Sequence, residues 1–357
     1  MKNVIAFCCM LLPLAVFAKT QTIPAINPKL PTVVVVATGG TIAEKADPKT
    51  GAAVPALSGA DLIQAVPDLA KIANVKVVNF SDIDSSQMNP DIWLKLSQKV
   101  NQLLQNPKIA GIVITHGTDT MVDGAYFLDL TTNSDKPIVF TGAMRDASDI
   151  SPDGPLNIYN AVLQAASGDN HNWGVTIILN QYINSARDAR KTNTNNAQTF
   201  DSGERGYLGY IAMHKVIYFH DRSDRLYFAL PQKLPKVVLL ESYAGDDGGL
   251  IHAAVAAGAK GIVVEGVGAG NVNAKVYSAI QTALKQKVVV VISTRVPNGG
   301  VYPIYGDLGG GATLQKAGAI LAGDLPGDKT RILLMLALTN NNADHNTLVQ
   351  YFSKKYD

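Results

Sequence analysis

The sequence predicts an α/β chain of two domains, a larger N-terminal one rich in parallel strands and a smaller C-terminal one. Three observations carry this. Short runs of Val and Ile alternate with stretches whose apolar residues recur at helical spacing. The alternation breaks in a charged segment holding two prolines and then resumes. The chain has 357 residues, 47% of them hydrophobic, which is enough for two cores.

In chain order, residues 1–18 (MKNVIAFCCMLLPLAVFA) combine a lysine, a short apolar run and small residues at Val16 and Ala18. They read as a secretory signal peptide, too short for a stable membrane anchor. Phe7 before Cys8 is too large for a lipid-attachment motif. Cys8 and Cys9 are the chain's two cysteines, so removing the segment leaves a thiol-free protein suited to an oxidising compartment. The N-terminal domain is expected over residues 30–215. Its buried strands are TVVVVA (32–37), GIVITH (111–116), PIVFTG (137–142) and GVTIIL (174–179). Helices fall at 91–105 and 154–167, and the polar tract 190–206 reads as a loop. A linker is expected over 216–235. The C-terminal domain, 236–357, repeats the grammar with strands at 236–242, 261–266 and 287–293 and an apolar stretch at 329–338.

The charge is near neutral, +2 formally, with no basic stripe, so nucleic acid is not an expected partner. The six histidines have no metal-ligand spacing, and neither a metal nor a cofactor is expected. In open α/β sheets ligands sit beyond the carboxyl ends of the strands. Two strands end in similar words there, ATGGT (37–41) and THGTDT (115–120). Glycine lets backbone amides turn inward, and threonine supplies a hydroxyl. Together these ends would converge two hydroxyls, several amides and the carboxylate of Asp119. Neither phosphate-binding glycine pattern is met, and no G-x-S-x-G elbow is present. A threonine nucleophile requires help to ionise. His116 reads as packing, while Lys191 could act as a base if its surroundings lowered its pKa.

The words VVATGGTIA, GIVITHGTDTMVDGAYFLDLT, KPIVFTGAMR, DGPLNIYNAV, RDARKTNT and KTRILLMLAL, in that order, resemble the bacterial secreted L-asparaginase and glutaminase-asparaginase family. The resemblance implies a flavodoxin-like C-terminal domain and hydrolysis of asparagine, with glutamine as a side substrate. It implies Thr41 as the nucleophile, and Thr118, Asp119 and Lys191 as a second cluster that tunes a hydroxyl and shuttles protons. Gly40 and Thr118 would give oxyanion amides beside Gly117. Ser85, followed by Ser86, would hold the α-carboxylate of the substrate, Asp119 its α-ammonium, and the carbonyl of Ala143 the leaving amide. The resemblance further implies a homotetramer, periplasmic or secreted, with its site between subunits. A periplasmic amino-acid binding protein without hydrolysis is the alternative.

Two stretches depart from the family pattern. The family's lid carries a tyrosine that pairs with the nucleophile, whereas EKADPKTGAAVPALSG (44–59) has none. The base that activates Thr41 is therefore left open. The segment 296–314, expected near a neighbouring subunit's site, supplies Tyr302, Tyr305 and Asp307. Tyr305 or Asp307 either substitutes in part for the missing tyrosine or belongs only to an interface loop. Asn271 matches a further position near that interface.

Overall fold

A computed structural model describes residues 27–168, 171–222, 225–339 and 344–352. The expected signal peptide lies outside the described residues. In the first half, β1 (Thr32–Ala37) is followed by a hairpin of β2 (Glu44–Ala46) and β3 (Ala53–Pro55), helix α1 (Gly59–Gln64) and β4 (Asn74–Asn79). Then come α2 (Pro90–Leu104), β5 (Ile109–Thr115), α3 (Met121–Thr131), β6 (Ile138–Thr141), α4 (Gly154–Ala166) and β7 (Val175–Leu179). The domain finishes with β8 (Tyr182–Ser185), a short pair β9 (Arg190–Lys191) and β10 (Phe200–Asp201), then β11 (Gly209–Ala212) and β12 (Lys215–Tyr218).

Eight of these strands form one sheet in the order β12-β11-β8-β7-β6-β5-β1-β4. The run from β4 to β7 is parallel, and β8, β11 and β12 add antiparallel strands at the other edge. The parallel strands are covered on both faces, so they read as continuous Val and Ile runs rather than as alternations. One face packs under α2 and α3 and the other under α1 and α4. Asn89 caps α2 by accepting the amides of Asp91 and Ile92, with Pro90 pre-set for the first turn. Ser58 and Asp61 form a reciprocal capping box on α1.

The C-terminal domain holds β13 (Val237–Glu241), α5 (Gly249–Ala256), β14 (Gly261–Gly266), α6 (Ala274–Lys285) and β15 (Val289–Thr294). It continues with α7 (Gly311–Lys316), β16 (Ile320–Leu321), α8 (Gly327–Ala337) and α9 (His345–Phe352). Its four strands are parallel and in sequential order. Helix α8 is buried along most of its length between this sheet and α3 of the other domain. Lys329 on α8 is fully buried, and its Nζ donates to the carbonyl of Val122 on α3.

The expected linker is corrected at its start. Residues 216–218 belong to β12, where Ile217 pairs with Tyr210. Beyond it Arg222 is buried and forms an ion pair with the buried Asp129 at 2.8 Å. The amide of Phe228 donates to the carbonyl of Leu130 at 2.8 Å. The connection is thus laid along the N-terminal domain. The partner of Arg222, Asp129, stands 93 residues away in the sequence.

Candidate active site

Strand order reverses at β1. The chain passes from β1 to β4 on one side and then crosses back to β5 on the other, which makes the carboxyl ends of β1 and β5 the switch point of the sheet. The two strands end level, with Ala37 opposite Thr115. Thr38 ties them together, its amide and its hydroxyl both donating to the carbonyl of Thr115, at 3.1 and 2.8 Å.

Beyond that point the glycines do positional work. Gly40 has φ 86° and ψ 177°, a region essentially reserved for glycine. A methyl there would overlap the Cα and N of Gly117, so the two words touch backbone to backbone. Gly117 in turn lies against Ser85, where an added Cβ would stand 2.6 Å from the serine Oγ. Ser85 is buried at 2% exposure, and its carbonyl accepts the hydroxyl of Thr120 at 2.7 Å. Ser86 is exposed. Its amide donates to Asp84 in the same short turn. Ala143 is buried beyond β6. Thr41 opens a 3₁₀ turn immediately after Gly40. Among the described residues, the amides of Gly40 and Thr118 donate to no protein acceptor.

Lys191 completes a cluster. Its Nζ donates to the hydroxyl of Thr118 at 2.9 Å and to the carboxylate of Asp119 at 2.6 Å. The lysine side chain is largely buried, while Asp119 is 63% exposed and faces outward. The tract 190–206 is therefore more than a polar loop. Its ends pair as β9 and β10, with Lys191 opposite Phe200. Arg187 and Arg205 flank the pair, and both reach Asp324 of the C-terminal domain, at 2.8 and 2.5 Å. The second domain thus anchors the strand that carries the lysine.

His116 is fully buried and packs on Phe140, with its Nδ1 2.7 Å from the carbonyl of Gly117. Burial pushes its pKa down to about 4, so the ring is neutral near neutral pH. Asn271, Tyr305 and Asp307 stand in the C-terminal domain. Asn271 closes a tight bridge with Val267, and its Oδ1 is buried without a hydrogen-bond partner. Tyr305 and Asp307 are exposed, as are Tyr302, Ile304 and Leu308 around them.

The residue that sequence reasoning passed over is Glu44. In sequence it opens a polar stretch marked only by the tyrosine it lacks. Glu44 is only 8% exposed, and the neighbouring Thr41 hydroxyl lowers its pKa against the upward pull of burial. The available signal was the spacing, because side chains at i and i+3 eclipse on a 3₁₀ turn.

Fold and site together define a class: two-domain α/β proteins that gather threonine hydroxyls, a carboxylate and an amine at the carboxyl ends of a parallel sheet. Comparison with known proteins narrows it. The family model for Asparaginase, N-terminal, matches residues 32–224, and the Glutaminase/Asparaginase C-terminal domain matches residues 236–352. The chain belongs to the asparaginase family. It is 42% identical to the probable periplasmic L-asparaginase of Haemophilus influenzae, over 90% of this chain and 93% of the relative. L-asparaginase 2 of Escherichia coli is 40% identical, over 91% and 93%. The crystal structure of the probable cytoplasmic L-asparaginase from Campylobacter jejuni superposes with a TM-score of 0.81 at 39% identity, covering 90% of this chain and 99% of that one. No helix among the described residues is long and apolar enough to cross a membrane.

Proposed function

We propose that the chain is an L-asparaginase, hydrolysing the side-chain amide of L-asparagine to aspartate and ammonia through an acyl-enzyme on Thr41. The observation that carries this reading is the Lys191–Thr118–Asp119 cluster held against the Thr41 turn by the Gly40–Gly117 contact. In the reaction the hydroxyl oxygen of Thr41 attacks the amide carbon. Negative charge then develops on the carbonyl oxygen, where the free amides of Gly40 and Thr118 receive it. The C–N bond breaks, ammonia leaves past the carbonyl of Ala143, and water hydrolyses the ester. Ser85, with Ser86 beside it, binds the α-carboxylate of the substrate and Asp119 its α-ammonium. Lys191 orients the Thr118 hydroxyl and relays protons. L-Glutamine is a side substrate, one methylene longer.

The working form is a homotetramer exported to the periplasm, with Asn271, Tyr305 and Asp307 standing near a neighbouring subunit's site. The exposed apolar residues from Tyr302 to Leu308 support a covered face there. A coupled assay of ammonia release from asparagine tests the central claim. Wild type is expected to turn over and Thr41→Ala to lose at least 1,000-fold, on the order seen for nucleophile loss. Comparable turnover by Thr41→Ala would remove Thr41 from its role.

A further inference from the structure

A threonine nucleophile requires a proton acceptor, and the stretch after Thr41 holds no phenol to serve. It does hold a carboxylate. Residues Thr41–Ala43 form one 3₁₀ turn, closed by the amide of Glu44 donating to the carbonyl of Thr41. Three residues on, Glu44 stands above Thr41 on the same face. Its backbone is held from three sides. It pairs with Pro55 across the β2–β3 hairpin, its carbonyl accepts the amide of Ala147, and the preceding carbonyl, of Ala43, accepts the amides of Ala56 and Leu57. The side chain is buried, and the Thr41 hydroxyl lies near enough to lower its pKa. Among the described residues no lysine, arginine or histidine forms an ion pair with it. The charges that face it are Asp84 from the loop after β4, Asp146 from the segment after β6, and Asp119 of the cluster.

We propose that Glu44 is the general base that accepts the hydroxyl proton of Thr41 as the acyl-enzyme forms. The proposal rests on Thr41 being the nucleophile. In the step, the Thr41 Oγ1–C bond forms while the O–H proton passes to the Glu44 carboxylate. The C–N bond then breaks, the proton passes to the departing nitrogen, and ammonia leaves with Glu44 ionised again. A water molecule repeats the sequence on the ester, leaving aspartate and free Thr41.

The electrostatic setting suits a base. Burial pushes the Glu44 carboxyl up, the Thr41 hydroxyl pulls it down, and the three neighbouring carboxylates add a smaller upward push; the net direction is upward. A carboxylate raised toward the working pH accepts a proton more readily than an ordinary one. No segment has to close to form this pair, since nucleophile and base belong to one turn.

The test is Glu44→Gln in the full-length enzyme, which keeps the side-chain shape and an oxygen acceptor but removes the carboxylate. The readouts are kcat/KM for asparagine across pH 4–9 and acyl-enzyme capture by acid quench with peptide mass analysis. Loss of about 100-fold or more is expected, in the range of general-base removal. The acid limb of the wild-type profile should also disappear in the variant. Retention of kcat/KM within about threefold would overturn the proposal. So would a large loss with the acid limb unchanged, which would mark a merely structural role. A wild-type adduct on the peptide carrying Thr41 keeps the two readings separate. If the adduct is absent there, the nucleophile assignment has failed. If it is present and Glu44→Gln acylates at the wild-type rate, only the base assignment has failed. A Glu44→Asp variant, shorter by one methylene, should recover part of the rate and the acid limb.

Discussion

Gly117→Ala tests whether the close approach of three backbone segments, rather than the identity of their side chains, builds the site. A Cβ at residue 117 would stand 2.6 Å from the Oγ of Ser85, 2.8 Å from its Cβ and 3.2 Å from its N. Ordinary contact begins near 3.4 Å, so Ser85 must retreat by roughly 0.6–0.8 Å. It cannot retreat freely, because it is buried and Thr120 grips its carbonyl. Overpacking of this kind costs about 1–3 kcal/mol. A displacement near 1 Å at a substrate-positioning group costs about 100-fold in rate. We therefore expect kcat/KM for asparagine to fall about 30- to 100-fold, mostly through KM, with a lower melting temperature. Adding Ser85→Gly removes the two closest atoms and should restore the melting temperature but not the activity. Gly51→Ala serves as the control: its φ is 70°, and nothing lies within 4 Å of an added Cβ. It should lose some stability and little activity. Wild-type kinetics and melting in Gly117→Ala would refute the reasoning.

Lys191→Met should lower kcat by at least 100-fold with a native circular dichroism spectrum, since it leaves the Thr118 hydroxyl without its donor. Asp324→Asn should lower kcat/KM by about 10-fold, because the Arg187 and Arg205 contacts that anchor the Lys191 strand weaken. Asp129→Ala should destabilise by about 3–5 kcal/mol in denaturant unfolding, since it strands buried Arg222 without that partner. For His116, the folded pKa of about 4 lies below the ordinary value of 6.5. The unfolded chain therefore takes up the proton first, and stability is lost as pH falls from about 6.5 toward 4, by up to about 3 kcal/mol. His116→Gln should show a shallower decline over that window by thermal melting.

The parallel strands were legible because burial on both faces leaves unbroken apolar runs, as in β1 and β5. Helices α2 and α4 were legible from the helical spacing of their apolar residues. Strand β4 was not, because NVKVVN is half polar and lies at the sheet edge, where Lys76 and Asn79 meet water and no residue is fully buried. Helix α3 shows almost no amphipathic face, since nearly all of it is buried between the sheet and α8. The pair of threonine words was legible as a pair. What the chain order concealed was the third dimension: that Gly40 lies on Gly117 and Gly117 on Ser85, and that two arginines lash Lys191's strand to the other domain.

The same concealment explains why Glu44 went unread. A glutamate after TIA in a polar stretch is, by composition, a solvated surface residue. Only the 3₁₀ turn brings it close to Thr41, and only the fold removes it from water. Once both are in place, a carboxylate without a cation partner is an expensive group to keep buried. The Thr41 hydroxyl offsets part of that cost while leaving the carboxyl raised. A base that is partly destabilised as an anion and stands three residues from the hydroxyl whose proton it must take is held close to its reacting partner. That arrangement makes the tyrosine-free hairpin intelligible. Its strands hold the Glu44 backbone in place through the pairing of Glu44 with Pro55, while the side chains of β3, Ala53–Pro55, stay exposed.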